Sequence, residues 1–279
     1  TLLAAQKGVA CAGRIFAIRG QGGVCFIDIK DEHAGIQIIF RKDNSENFDL
    51  IRESLDIGDF IQADGLPFVT KKGERSIDAK TITMVTKTLR PIPSEWYGIQ
   101  DVETRLRQRY LELIASPETR EMFRKKTVFW NTFRQILIKS GFLEVETPVL
   151  ELTTGGADAE PFSTHHKALD LDMYLRISLE LPLKKLLVGG YEKVIEIGRI
   201  FRNEGIDAEH LQDYTQLEFY WAYADYKDLM KFIEKTYKKV IKETVGSLQT
   251  VRNGNQIDWS KPWPKVDYFT IFKEQTEKQ

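Results

Sequence analysis

The stretch FRNEGIDAEHLQDYTQLEF, residues 201–219, joins two apolar segments through a polar loop. The segment after it, YTQLEFYWA (214–222), alternates apolar and polar side chains, as half-buried strands do. The segment before it, VIEIGRIF (194–201), alternates less cleanly, because Val194 and Ile200 fall on its polar side and Arg199 on its apolar side. Two such runs around a Gly-containing loop predict a pair of neighbouring strands. Arg202 and Glu204 stand at the end of the first strand, where charged side chains indicate a binding site.

The alternation also extends to a third segment, MYLRISLEL (173–181). Because successive side chains of a strand point to opposite sides, the three segments predict an antiparallel sheet with helices on its apolar face. Its other face is either solvated or a binding surface, and its many carboxylates, in place of Lys and Thr, favour binding. The side chains on that face are Tyr174, Arg176, Ser178, Glu180, Glu196, Arg202, Glu204, Tyr214, Gln216, Glu218 and Tyr220.

The composition sets limits on the class of protein. A chain of 279 residues with 42% hydrophobic residues is long enough for two domains. Its 40 basic and 41 acidic residues predict no general attraction to nucleic acid, so any such recognition must be local. A disulfide between Cys11 and Cys25 is possible, but reduced thiols are favoured. No apolar run reaches the roughly 20 residues of a membrane helix, so we expect a soluble, cytoplasmic protein without a membrane partner.

Residues 8–90 predict a small β-barrel. Five β-prone runs, with one short amphipathic helix between the third and fourth, follow the order of an OB-fold. Such barrels bind single-stranded nucleic acid through aromatic and polar side chains. The candidates are Arg19, Phe26, Gln37 and Glu74, although the pattern alone favours ordinary core and surface positions for them.

The remaining segments predict a linker and two long helices. In the linker from residue 91, Arg105, Arg107 and Arg109 are expected to form salt bridges between the domains. A helix is predicted from Ser116 to Gly141 and an amphipathic helix over 226–246. The strand FLEVETPVL (142–150) contains a proline, which places it near a sheet edge where another subunit could lie.

Several of these stretches resemble class II aminoacyl-tRNA synthetases. Residues 172–228 look like the motif 2 region of that class, and GFLEVETPVL (141–150) looks like motif 1. With FSTHHKALDLDMYLR (162–176) they are similar to the lysyl-tRNA synthetase family, and the resemblance continues through the barrel and linker. It implies an α+β chain: an anticodon-binding OB-fold barrel (1–90), a hinge (91–116) and the first part of a catalytic domain (117–279).

The resemblance also implies roles for the matching residues. Arg202 would be the catalytic residue, binding the α-phosphate of ATP and the amino-acid carboxylate. Further ATP contacts would come from Glu204, His210 and Tyr214, where the family commonly has Phe. Lysine would be held by Gly156, Glu180, Glu218 and Tyr220. The anticodon would be read by Arg19, Phe26, Gln37 and Glu74, which reverses the preference for ordinary positions, and the dimer interface would include Gly141 and Pro148.

The implied function is a lysine-tRNA ligase, a homodimer that uses ATP and Mg²⁺ to activate lysine and transfers it to tRNA(Lys). The family's third motif, with its Mg²⁺ ligands, does not occur in this sequence, and His165 and His166 do not make a zinc site without a third ligand. We therefore expect an incomplete chain that has little or no activity alone and no metal ligands of its own. The alternatives are a non-enzymatic tRNA-binding fragment or paralogue and an aspartyl- or asparaginyl-type synthetase.

Overall fold

The computed structural model describes residues 7–20, 22–45, 47–93, 98–207 and 209–276. The chain divides into two compact units, Thr1–Arg120 and Glu121–Gln279. Among the described residues no helix combines the length and apolarity needed to cross a lipid bilayer.

The first unit contains a closed five-stranded barrel with the strand order β1-β2-β3-β5-β4. Its strands are β1 (Val9–Arg19), β2 (Val24–Lys30), β3 (Gly35–Arg41), β4 (Phe60–Val69) and β5 (Arg75–Thr86). Neighbouring strands are antiparallel except β3 and β5, which are parallel. Helix α1 (Phe48–Ser54) lies between β3 and β4 in the sequence, so the predicted barrel with its inserted helix is confirmed.

An apolar core fills the barrel because inward and outward side chains alternate along its strands. In β2, Cys25, Ile27 and Ile29 are buried. The ring of Phe48 from α1 stacks on that of Phe40 with centroids 5.3 Å apart, so the helix closes one part of the core. Burying each large side chain of this kind contributes about 1.5–3 kcal/mol. Both cysteines of the chain are free thiols.

Two short helices follow the barrel, α2 (Val102–Arg107) and α3 (Arg109–Ala115). The predicted salt bridges between domains are wrong, because the linker arginines pair with acids of the same two helices. Arg107 bonds Glu103, and Arg105 and Arg109 both bond Glu112. Acids three to seven residues away satisfy these guanidinium groups locally.

In its described residues, the second unit combines four helices with short strands. The helices are α4 (Pro117–Lys139, whose first turn precedes the unit boundary), α5 (Glu180–Val188), α6 (Tyr226–Val245) and α7 (Tyr268–Thr276). The strands are β6 (Leu143–Glu144), β7 (Leu150–Glu151), β8 (Ser163–His166), β9 (Leu171–Leu175), β10 (Lys193–Phe201), β11 (Asp213–Trp221), β12 (Gln249–Arg252) and β13 (Asn255–Asp258). They form sheets with the orders β11-β10-β6, β7-β9-β8 and β12-β13.

Capping residues fix the two long helices where the sequence predicts them. The Ser116 hydroxyl accepts a hydrogen bond from the amide of Thr119 at 3.1 Å, which satisfies a free donor at the start of α4. Asp225 and Asp228 form a capping box at the start of α6. Gly141 after α4 and Gly246 after α6 adopt the left-handed conformation, with φ of 87° and 80°, that ends a helix.

Helices α4 and α6 pack on the apolar face of the β10–β11 hairpin, as predicted. Ile195 of β10 forms a buried cluster with Leu137 of α4 and with Phe142. The ring of Phe232 from α6 lies 5.8–5.9 Å from the rings of Phe219 and Trp221 in β11. Helix α5 packs on the other face, where Leu183 forms a second buried cluster with Val194 and Ile200. The expectation of helices on one face only is therefore wrong, and the polar side chains share their face with part of α5.

Two strand predictions are wrong. The alternating segment 173–181 is not a third strand of the hairpin sheet: it leaves β9 at Leu175 and enters α5 at Glu180. The predicted strand 142–150 is broken into β6 and β7, with Pro148 between them. Proline has no amide hydrogen to donate to a neighbouring strand, which explains the break. Strand β6 lies at the edge of its sheet, so the predicted edge position is confirmed. It runs parallel to β10, so the prediction of a purely antiparallel sheet is wrong.

Candidate active site

The β10–β11 hairpin brings the predicted site residues to one face. In its register Phe201 pairs with Asp213, Ile200 with Tyr214 and Glu196 with Glu218. Because alternate side chains of a strand point to the same side, Tyr214 and Glu218 lie on the same face of β11. Four residues separate them, which corresponds to about 13 Å along the strand. This face can hold an extended ligand between its aromatic end and its acidic end.

A cavity of about 320 Å³ opens at the aromatic end of the hairpin. It is lined by Arg202, Glu204, Gly205, Glu209, His210, Leu211, Gln212 and Tyr214. All four residues predicted to bind ATP, namely Arg202, Glu204, His210 and Tyr214, are thus brought together. The loop between the two strands forms most of the wall.

Arg202 keeps its charge available to this cavity. Its main-chain amide bonds the carbonyl of Gln212 at 2.8 Å, which fixes the residue at the mouth of the hairpin. Its guanidinium lies 5.7 Å from the ring centroid of Tyr214, and its Nε makes one long contact, 3.4 Å, with the carbonyl of Ile177. It forms no ion pair with any side chain in the described part of the chain. A half-buried cation without a protein acid is suited to an anionic ligand.

The loop of the hairpin is held by an acidic side chain. The Asp207 carboxylate accepts hydrogen bonds of 2.7 Å from the amides of Glu209 and His210, and its second oxygen lies 2.6 Å from Nδ1 of His210. The amide of Glu209 and then the His210 ring hold the pKa of this carboxyl below its usual range. Asp207 therefore stays ionised and orients the imidazole on the cavity wall.

The acidic end of the face is centred on Glu218. Its carboxylate accepts hydrogen bonds from the Ser178 hydroxyl at 3.1 Å, from the amide of Leu179 at 3.3 Å and from the Tyr220 hydroxyl at 3.2 Å, as well as from the Gln216 side chain. Every one of these donors is neutral, so the carboxylate is positioned but its charge is not cancelled. Burial, together with the negative charge of Glu218 and Glu180, raises the pKa of Tyr220 and keeps it protonated.

Glu180 reaches the same cluster from a helix and not from a strand. It is the first residue of α5, and its amide donates to the Ser178 hydroxyl at 3.1 Å. Gly156 lies directly against it with φ of 86°, and a Cβ at Gly156 would come within 2.9 Å of the Glu180 Cβ and the Ser178 Oγ. Only glycine fits this close approach. The four predicted lysine-binding residues, Gly156, Glu180, Glu218 and Tyr220, thus belong to one cluster.

Three polar side chains assigned to the binding face are buried structural groups. The predicted exposure of Arg176, Ser178 and Glu196 is wrong, since each is 3% exposed. Nη1 of Arg176 bonds Oε1 of Glu196 at 2.6 Å, and Oε2 of Glu196 accepts from the Thr147 hydroxyl at 2.6 Å. The Arg176 side chain passes within 2.3 Å of where a Cβ of Gly198 would stand, so glycine is required there. This ion pair fastens the segment after β9 to the hairpin, and its bonds to Thr147 attach the segment before β7 as well.

The residues predicted to read an anticodon lie on the barrel. Arg19 pairs with Asp28 at 2.8 Å and faces Phe26 across the β1–β2 ladder. Gln37 is 7% exposed and accepts a hydrogen bond from Ser76 at 3.1 Å, and Glu74 is exposed in the turn before β5. Of the two residues predicted for a dimer interface, Gly141 ends α4 and Pro148 is exposed between β6 and β7.

Sequence reasoning missed two members of the acidic cluster. Ser178 was assigned only to a polar face, although its hydroxyl links Glu180 to Glu218. Lys184 was not considered, although its ammonium bonds Glu180 at 2.6 Å. The spacing of four residues between Glu180 and Lys184 is the signal that could have found it, once Glu180 is placed in a helix. Within the described ranges no three His, Cys, Asp or Glu side chains are grouped to hold a metal ion.

Comparison with known proteins accounts for both units. Residues 101–279 match the family described as tRNA synthetases class II (D, K and N). Residues 9–85 match the family described as OB-fold nucleic acid binding domain, in agreement with the barrel.

Proteins of similar sequence include lysine–tRNA ligases from several bacteria. The sequence is 44% identical over 269 residues to that of Fervidobacterium nodosum, 46% over 265 residues to that of Thermotoga sp. and 45% over 267 residues to that of Moorella thermoacetica. These alignments cover 94–96% of this chain but 53–55% of each relative, so the chain spans about half the length of the curated relatives it matches. By its family match, over most of its length, the chain belongs to the class II tRNA synthetases (D, K and N).

Proposed function

We propose that this chain supplies the nucleotide, amino-acid and anticodon sites of a lysine-tRNA ligase, which activates lysine with ATP and transfers it to tRNA(Lys). The observation that carries this proposal is the position of the Arg202 guanidinium. It borders an open cavity without an acidic partner among the described residues, on the hairpin whose other end presents the Glu218 carboxylate.

The chemistry of activation suits these groups. A lysine carboxylate is already anionic at neutral pH, so its in-line attack on the α-phosphate of ATP needs no protein nucleophile or base. The step needs positive charge fixed at the phosphorus as negative charge spreads over its oxygens, and Arg202 provides it. The Tyr214 ring, partly buried in the cavity wall, would stack on the adenine.

Mg²⁺ is proposed to accompany ATP as in other phosphoryl and nucleotidyl transfers. The described residues include no group of three or more His, Cys, Asp or Glu side chains that would hold it.

The acidic cluster supports lysine over the other amino acids of the family. Glu180 and Glu218 face the same site, and the neutral hydrogen-bond donors around Glu218 leave its charge to a cationic ligand. An aspartate side chain would meet two carboxylates there and be repelled, and an asparagine side chain would leave their charge uncompensated. The names of the similar proteins agree with this selectivity.

The remaining parts of the proposal concern macromolecular partners. We propose that Arg19, Phe26, Gln37 and Glu74 bind the anticodon, that the segment with Gly141 and Pro148 contributes to a homodimer, and that the enzyme acts in the cytoplasm. The proposed domains are the barrel (1–90), a hinge (91–116) and the catalytic part (117–279). The match of residues 9–85 to a nucleic-acid-binding family supports the barrel's role.

Titration calorimetry of the 279-residue chain with lysine, aspartate and asparagine tests the proposal. We expect heat of binding for lysine alone, and its loss in Glu218→Gln, which keeps the hydrogen-bond acceptor but removes the charge. Binding of aspartate with equal affinity would contradict the lysine assignment. Pyrophosphate exchange by the same chain is expected to be much slower than in a full-length relative; tRNA binding without any lysine binding would favour the non-enzymatic alternative.

A further inference from the structure

The acidic cluster of the site already contains one cation of the chain itself. Nζ of Lys184 lies 2.6 Å from Oε1 of Glu180 and 5.8 Å from the ring centroid of Tyr220. Glu180 and Tyr220 are two of the residues to which the proposed function assigns the amines of lysine. An ammonium group of the chain itself therefore lies among the proposed ligand-binding residues.

This ion pair differs from an ordinary pair on a helix surface. Glu234 and Lys238 of α6 have the same spacing of four residues and a distance of 2.5 Å, but they lie on a helix that contributes no proposed site residue. Glu180, by contrast, is in tight contact with Gly156 and shares Ser178 with Glu218. A cation that pairs with Glu180 therefore reduces the net negative charge of the cluster that a ligand would meet.

The Lys184 side chain can also move away from Glu180 into solvent. It is 52% exposed, whereas the Glu180 side chain is 33% exposed, so moving the ammonium into water costs little solvation. Its contact with the Tyr220 ring is at the outer limit of a cation–π interaction. The pair is weak enough to be broken by a ligand and strong enough to reduce that ligand's affinity.

From this geometry we propose that Lys184 is a resident cation of the amino-acid site, which competes with the substrate amine for Glu180 and which the bound amine displaces. The inference rests on the proposed lysine site. Lys184 thereby sets the affinity of the site, because a ligand must present a cationic amine able to replace the Lys184 ammonium. A neutral group cannot compensate for the broken pair.

Lysine binding to variants of the 279-residue chain tests this role. In Lys184→Gln the internal competitor is removed, and we expect lysine to bind about two- to fivefold more tightly at low salt, the range that a partly exposed ion pair supports. Lys184→Arg keeps the charge and should stay within twofold of the wild type. Lys238→Gln removes the matched pair of α6 and should leave lysine affinity unchanged.

The outcomes separate the two hypotheses. Equal lysine affinity in the wild type and Lys184→Gln, or weaker binding by the variant, would overturn the competing role of Lys184 while leaving the lysine site in place. Absence of lysine binding by the wild type and by Lys184→Gln at millimolar concentrations would instead overturn the proposed lysine site, and the role of Lys184 with it. A gain of affinity that also appears in Lys238→Gln would count against a specific effect.

Discussion

The barrel and the hairpin hold their polar side chains in different ways. On the barrel, Arg19 is paired with Asp28, and Gln37 accepts a hydrogen bond from Ser76. At the hairpin, the Arg202 side chain makes one ring contact, with Tyr214, and one long hydrogen bond, 3.4 Å, to a carbonyl among the described residues. The barrel side chains must therefore give up a protein partner before they can bind a ligand, whereas the Arg202 charge of the hairpin is not paired with a protein carboxylate in the described residues.

A second contrast concerns how each region is stabilised. The barrel core is apolar, with fully buried side chains such as Ile27, Ile38 and Ile77. Beneath the hairpin face, the ion pair of Arg176 and Glu196 is buried among backbone groups. Charge thus serves structure inside the second unit and binding at its surface, and substitutions separate these uses.

The largest effect is expected from Arg176→Met. It leaves Glu196 buried without its cation, which costs about 3–5 kcal/mol. Four of the five tryptophans belong to the second unit, so tryptophan fluorescence during urea unfolding reports on it. Arg199→Ala removes an exposed pair between Arg199 of β10 and Asp213 of β11 and should cost no more than about 1 kcal/mol. Equal losses in the two variants would contradict a structural role for the buried pair.

Arg202→Ala is expected to weaken ATP binding by about 10- to 100-fold, since a charge-assisted hydrogen bond to a phosphate contributes about 1.5–3 kcal/mol. Titration of ATP into the variant and the wild type measures the change. Arg199→Ala again serves as the control and should bind ATP normally. If Arg202→Ala lowers the free energy of unfolding as much as Arg176→Met does, Arg202 has a structural role and the proposed distinction between the two arginines is wrong.

In the barrel, Asp59→Asn is expected to cost about 1–3 kcal/mol near neutral pH. Burial raises the pKa of the Asp59 carboxyl, but hydrogen bonds from Lys87, Thr88 and Asp56 outweigh it, so the net pKa lies below its usual value. A depressed folded pKa contributes stability above the unfolded pKa of about 4 and loses it as the pH falls through the folded value.

The stability difference between wild type and Asp59→Asn should therefore shrink in acid. Unfolding monitored by circular dichroism at pH 7 and pH 3 measures it. Lys42→Gln, which breaks an exposed pair with Asp49, is the control and should change stability by less than about 1 kcal/mol at either pH. A difference for Asp59→Asn that grows below pH 4 would show that the carboxyl is not held ionised.

The smallest effect is expected from Phe26→Leu, which keeps an apolar side chain but removes a stacking surface. Loss of base stacking contributes about 1–3 kcal/mol, and leucine retains part of the contact, so tRNA(Lys) affinity should fall by about fivefold. Filter binding measures it, with thermal unfolding as the check on folding. Unchanged affinity would remove Phe26 from the proposed anticodon surface.

The hairpin and the barrel were predictable because their side chains alternate over long runs. The segment 173–181 misled the same reasoning, since a short alternating run also fits the start of a helix. Pro182 lies in the first turn of α5, where the amide hydrogen that proline lacks would have no partner within the helix. A proline at this position is compatible with a helix, but the sequence alone does not show that a helix begins here. Arg176 is buried because it pairs with Glu196 of β10, twenty residues away in the sequence. The alternation of polar and apolar residues within one segment cannot predict such a distant partner.

The roles of the site residues rested on family resemblance more than on pattern. Alternation placed Tyr214, Glu218 and Tyr220 on one face, and the register of the hairpin agrees with that placement. It could not reveal that Lys184 enters the cluster, because that contact requires α5 to begin at Glu180.

A crystal structure of the chain with lysine and a non-hydrolysable ATP analogue tests the central claim most directly. We predict an α-phosphate oxygen within about 3 Å of the Arg202 guanidinium, adenine against the Tyr214 ring, and a lysine amine among Glu180, Glu218 and Tyr220. A nucleotide bound elsewhere, with Arg202 still turned to the carbonyl of Ile177, would contradict the account.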